Sequence, residues 1–276
     1  LAGGRSDSRP ELRYNVGAWA SHGQLRIAGG GEEDRMQFQV VGDVMQCVSV
    51  SMDPGEEVKA EAGAMIFLND GITIDTQMTG GLLKGLGRVL AGSTLFFTHF
   101  RCTARGGSVA FAAHYPGHVR HFPLQGDGWI CAKESFLFAT KDVSIDVALT
   151  KKVGFGFFGG TGFVLQRLSG FGDAFIHGGG NFVEFQLAAG QRIKAEAGCV
   201  VAFQDSVNYD VEFIGGIKNA LFGGEGLFLV SMTGPGHVIL STMPFSRMAG
   251  AILAHIPQQS AGSGVGGLLG GLVDGL

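Results

Sequence analysis

EAGAMIFLNDGITIDT, residues 61–76, joins an apolar run (Met65 to Leu68), a turn (Asn69, Asp70, Gly71) and an alternating strand in which Ile72 and Ile74 face one way and Thr73 and Asp75 the other. That is the pattern of a β-hairpin. The chain repeats it. EAGCVVAFQDSVNYDV at 196–211 is nearly the same phrase, and KESFLFATKDVSIDVA at 133–148 is a looser version between them. Placing Asp75, Asp146 and Asp210 in register puts Gly63 opposite Glu134 and Gly198, so each unit spans roughly 65–70 residues.

The flanks of the phrase recur in the same register. GGLLKGLGRVLAGSTLFF, KKVGFGFFGGTGFVL and GGIKNALFGGEGLFLV each follow the aligned aspartate and lead into an apolar strand. ARGGSVAFAA, GFGDAFIHG and GPGHVILST then supply a turn and a short strand. A unit of this size cannot bury its apolar face alone, so neighbours must share an interior. The expected architecture is all-β, with three pseudo-equivalent repeats around a shared core, forming one domain over residues 36–248. Residues 1–35 carry no sustained period and are expected to be a peripheral extension that need not belong to the native protein. Residues 249–276 read as a Gly-rich C-terminal tail.

Composition narrows the function. The 276 residues are 45% apolar, enough for a real core, and only 16% charged with a net charge of −4, which argues against a nucleic-acid partner. The 48 glycines and 22 phenylalanines favour tight turns and short strands over helices. Cys47, Cys102, Cys131 and Cys199 are far apart with no CxxC pair, so they read as reduced thiols of a cytoplasmic protein. No apolar run is long enough to span a membrane as a helix.

MQFQVVGD at 36, KAEAGAMIFLNDGITIDT at 59, GWICAKESFLFA at 128, KAEAGCVVAF at 194 and SMTGPGHVILSTMPFSRMA at 231 together resemble the AIM24 family, formerly a domain of unknown function. The resemblance covers residues 36–276 and implies a TRAP-like all-β fold. It implies little about activity: bacterial and archaeal members have none assigned, and eukaryotic members are linked to mitochondrial inner-membrane organisation. The RNA binding of the attenuator protein behind the fold's name does not transfer with the fold.

Chemistry-bearing clusters are few. HYPGHVRH brings His114, His118 and His121 close in sequence, and Pro116-Gly117 could fold the first two together, which makes them the candidate ligands of a metal-dependent enzyme. Turn or surface histidines are the plainer reading, because no HxH pair accompanies them. Asp75, Asp146 and Asp210 either converge to hold a cation or satisfy turn amides, the second being the commoner use of an aspartate at a strand end. No nucleophile elbow, zinc-protease or phosphate-loop motif occurs, so no catalytic residue, metal or cofactor is assigned.

The glycine-rich segments carry the leading expectation. Leu82, Leu83, Lys84, Leu86 and Arg88 form a short amphipathic stretch; Lys152, Phe155 and Phe157, then Lys218 and Phe222, repeat the mixture of apolar and basic residues. Such segments either plug the open end of the body or form an apolar patch with a basic rim, suited to a protein partner, a second copy of the chain or an anionic membrane surface. The expectation is a non-enzymatic scaffold or binding protein in the cytoplasm or peripheral to a membrane, forming a homo-oligomer or meeting a membrane surface or protein partner.

Overall fold

The structure is a computed structural model and describes residues 25–28, 36–75, 97–151, 163–214 and 227–255. It is an all-β architecture. The first stretch of strands is β1 (Leu25–Ala28), β2 (Gln37–Val41), β3 (Cys47–Met52), β4 (Glu57–Glu61), β5 (Met65–Leu68), β6 (Ile72–Asp75), β7 (Phe97–Cys102) and β8 (Gly107–Ala112). The second holds β9 (Gly117–Gln125), β10 (Trp129–Ala132), β11 (Phe136–Thr140), β12 (Val143–Lys151) and the long β13 (Phe163–Gly179). The third holds β14 (Phe182–Leu187), β15 (Arg192–Glu196), β16 (Val200–Gln204), β17 (Asn208–Ile214), β18 (Leu227–Thr233) and β19 (Gly236–Ser241), followed by one helix, α1 (Phe245–Ala254). β1 lies within the first 35 residues and pairs antiparallel with β2, and α1 runs across the boundary read at Met248.

One pairing order occurs in all three stretches. The strand after each glycine-rich segment is central: β7 lies between β4 and β6, the first half of β13 between β10 and β12, and β18 between β15 and β17. The next strand is central to a second set: β8 between β3 and β5, the second half of β13 between β9 and β11, and β19 between β14 and β16. Each second set carries a bulge at the same place, between Met65 and Phe67, between Phe136 and Phe138, and between Val200 and Ala202. A bulge adds one residue and increases the local twist, so a shared bulge is a shared bend.

Two seams join the stretches edge to edge. β11 pairs with β4, placing Ala139 opposite Lys59, and β16 pairs with β10, placing Phe203 opposite Ile130. One backbone bond repeats beside each seam: Lys141 N–H donates to Glu57 O at 3.1 Å, and Asp205 N–H to Gly128 O at 3.0 Å. Because a continued sheet has side chains on both faces, each seam also shares an interior. Leu137, Phe138 and Phe175 pack into the cluster of the first stretch, while Ile130, Ala132, Phe163 and Leu165 pack into that of the third. Phe138 is stacked between Phe111 and Phe175, with ring centroids at 4.6 and 4.4 Å. The apolar interior is therefore built from three clusters, each drawing on neighbouring stretches.

Candidate functional site

β5 and β15 are the strands that correspond to the paired members of those seams, and neither meets a second strand on its outer side among the described residues. The consequence is visible in exposure. In β11 and β16, Leu137 and Val201 are each 1% exposed. Their counterpart in β5, Ile66, is 53% exposed, and Met65 is 37% exposed where Phe136 and Val200 are 2% and 1%. A scattered surface Leu or Ile needs no explanation, but an apolar strand edge that is covered twice elsewhere in the same chain does. Fully burying two such side chains is worth roughly 1.5–3 kcal/mol each.

β15 offers a polar edge. Arg192 and Lys194 are exposed and hold Glu212 of β17, with Arg192 at 3.2 Å and Lys194 at 2.8 Å, while the Ser231 hydroxyl donates to the same carboxylate at 2.9 Å. The Lys194 and Ser231 hydrogen bonds hold the Glu212 carboxyl below its ordinary range. The counterpart of Lys194 at a closed seam is Lys59, whose ammonium donates across the seam to the carbonyls of Lys141 and Val143. Burial there lowers the Lys59 pKa.

A cluster of titratable side chains lies beside the β4–β11 seam. Glu61 ends β4, and burial pushes its carboxyl up to about 7, with Lys133 opposing and Glu134 adding to the effect. Solvent reaches Glu134, although protein surrounds it on most sides and that enclosure raises its pKa. Tyr115 is pushed up to about 12 by burial and by Glu134 and Glu61, and meets the ring of His177 edge-on at 4.7 Å. His177 is buried with Nδ1 lacking a partner, and its pKa is driven down to about 4, chiefly by burial. Glu61 therefore holds its proton to higher pH than an ordinary carboxylate, while His177 is neutral at neutral pH.

The sequence-derived residues fall differently. Leu82, Leu83, Lys84, Leu86, Arg88, Lys152, Phe155, Phe157, Lys218 and Phe222 lie outside the described residues. What is described is their attachment: each segment links the outer strand of a three-stranded set to its central strand, β6 to β7, β12 to β13 and β17 to β18. The three histidines have separate engagements. His118 Nδ1 lies 2.6 Å from Gly180 O, His121 Nε2 lies 2.6 Å from Asp173 Oδ1, and the exposed His114 sits against Gly63. They do not converge on one point, because strand β9 turns His118 and His121 towards different neighbours.

Asp75, Asp146 and Asp210 stand exposed on β6, β12 and β17, and the latter two sit within their strands, not at strand ends. Among the described residues no three His, Cys, Asp or Glu are placed to hold a metal ion. All four cysteines are free thiols, Cys102 and Cys131 buried and Cys47 and Cys199 half-buried. Gly63 takes a φ of +85°, whereas its counterparts Glu134 and Gly198 lie in short 3-10 turns, so the aligned position needs glycine only in the first stretch. Among the described residues no helix is long and apolar enough to cross a membrane. α1 shows Phe245 and Ile252 to solvent.

Antiparallel strands joined edge to edge at two seams define an all-β protein. The chain belongs to the AIM24 family: the model described as mitochondrial biogenesis AIM24 matches residues 38–243. It is 22% identical over 238 residues to an uncharacterized protein of Streptococcus pyogenes serotype M6, a match covering 83% of this chain and 94% of that one. The crystal structure of a Streptococcus pyogenes protein is similar with a TM-score of 0.66 at 20% identity, covering 80% of this chain and 100% of that one. At that identity the likeness speaks for the fold alone.

Proposed function

We propose that the chain is a non-enzymatic scaffold that works by associating with copies of itself, in the cytoplasm or at a membrane surface. One observation carries this reading: Met65 and Ile66 are exposed on a strand that has no outer neighbour among the described residues, while the matching residues of β11 and β16 are covered by a neighbouring strand. An unpaired, apolar edge is a template for another strand, and proteins that do not use one blunt it with charge, proline or a covering loop. Met65–Leu68 holds no charge and no proline.

The test is light scattering of the full chain over a dilution series, with Leu68→Pro beside it. Asn69 N–H donates to Ser108 O of β8 at 3.0 Å, so strand alternation turns the Leu68 N–H away from β8. Proline at 68 therefore removes an outward donor and spares that bond to β8. The parent is expected to associate as concentration rises and the variant to remain a monomer with an unchanged circular dichroism spectrum. A parent that stays monomeric throughout contradicts the reading.

A further inference from the structure

The pairing at the two closed seams fixes what should sit on the open ones. We infer that β5 of one copy pairs antiparallel with β15 of a second copy, with Leu68 opposite Lys194, so that copies join head to tail through a third seam of the kind each chain already makes twice; this rests on the self-associating reading above.

The register follows from residues already in place. Ala139 and Phe203 each lie five residues after the aligned Glu134 and Gly198, and they sit opposite Lys59 and Ile130, which lie four residues before Gly63 and Glu134. The residue five after Gly63 is Leu68, and the residue four before Gly198 is Lys194. The bond flanking each seam obeys the same count: Lys141 to Glu57 and Asp205 to Gly128 become Asp70 N–H donating to Arg192 O.

The side chains agree with the backbone. Lys59 crosses its seam to the carbonyls of Lys141 and Val143. Lys194, in the same KAEAG phrase, would cross to the carbonyls of Asp70 and Ile72 of the second copy and leave Glu212, its present partner at 2.8 Å. Both edges have the right bends. β5 carries the bulge found in β11 and β16, and β15, like β4, is held on its other side by the strand that follows a glycine-rich segment. A second copy is the occupant these features select, because each edge is the complement of the other and, among the described residues, they do not pair within one chain. The two edges are unlike, so the contact is heterologous: repetition closes into a ring if the rotation per copy allows and extends as a filament if it does not.

The experiment introduces Leu68→Cys and Lys194→Cys together, oxidises the full chain, and reads the products by intact mass, with native mass spectrometry of the unoxidised parent alongside. Opposed residues across an antiparallel pair bring Cβ atoms about 4.5–5.5 Å apart, near enough for a disulfide after small adjustment. Each single-cysteine variant under the same oxidant sets the background from Cys47 and Cys199, the two half-buried thiols.

A ladder of covalent dimers and higher species, absent from both single variants, supports the inference. A disulfide within a monomer shows that the edges close on themselves and overturns it. An associating parent whose double variant gives only background cross-linking overturns the seam and leaves the scaffold reading standing. A parent that never associates overturns both.

Discussion

Replacing Glu61 by glutamine should make the protein more stable in alkali and change little in acid. Glu61 is half-buried at the end of β4, and burial, helped by Glu134 and opposed by Lys133, lifts its carboxyl from 4.5 to about 7. Between those two values the folded chain keeps the proton that the unfolded chain has released. Stability from this group is thus fully present below the unfolded value and is lost as pH rises through about 7. Ionising the carboxyl at pH 8 costs the fold about 3 kcal/mol at most, and about 1–2 kcal/mol once solvent on its open side is allowed for. Glutamine never ionises and keeps the shape. Urea unfolding of parent and Glu61→Gln at pH 5 and pH 8 should show the variant gaining about 1–2 kcal/mol on the parent between the two conditions. His177, whose depressed pKa weakens the fold as pH falls below its ordinary value, acts on both proteins and cancels in the comparison. A difference between variant and parent that is the same at both pH values would mean that Glu61 titrates alike in the folded and unfolded chain.

Two substitutions probe the shared interior and the junction of the stretches. Phe138→Ala empties the ring site between Phe111 and Phe175 at the β4–β11 seam and should cost about 3–5 kcal/mol in chemical unfolding; a cost below about 1 kcal/mol would mean the seam core tolerates collapse. A Cβ at Gly117 would fall on the Gly178 carbonyl oxygen and within 2.6 Å of His177 Nε2, so Gly117→Ala should lower the melting temperature far more than Gly250→Ala, whose added atom meets nothing within 4 Å on a helix. Equal shifts for the two alanine variants would show that the strands around Gly117 move apart freely.

The strands themselves were legible in the sequence because their side-chain period is two and their turns are marked by Asn, Asp and Gly. Ile72 and Ile74 against Thr73 and Asp75 are enough to place β6, and the aligned aspartates fall on β12 and β17. The hairpin expected over 61–76 does not form: β5 pairs with β8 and β6 with β7, so the Asn69-Asp70-Gly71 turn passes the chain from one sheet to another, which a local turn signal cannot distinguish from a hairpin. The open edge was not legible, for a physical reason. MIFL, FLFA and VVAF are equally apolar runs, and such a run reads the same whether its outer side is covered by the same chain or left for another. The bulges were hidden too, since one extra residue inside a continuous apolar run breaks no alternation.

β1 is not legible because the four residues LRIA are too short for a period, and Gly250 inside a helix of ten residues weakens the signal for α1. The histidine cluster was conspicuous in sequence and scattered in space: neighbours along a strand alternate in direction, so His118 and His121 answer to Gly180 and Asp173. Glu61 and Tyr115 had the opposite fate. Each stands in a phrase that reads as plain strand or turn, and only the meeting of separate strands encloses them beside Glu134.

Amide hydrogen exchange of the parent chain at low and high concentration separates pairing through β5 and β15 from every other mode of association. Peptides covering Met65–Leu68 and Arg192–Glu196 should gain protection as concentration rises, while the outer strands β6, β12 and β17 exchange at unchanged rates. Protection that leaves β5 and β15 untouched, or that falls on β6, β12 and β17 instead, would contradict that pairing.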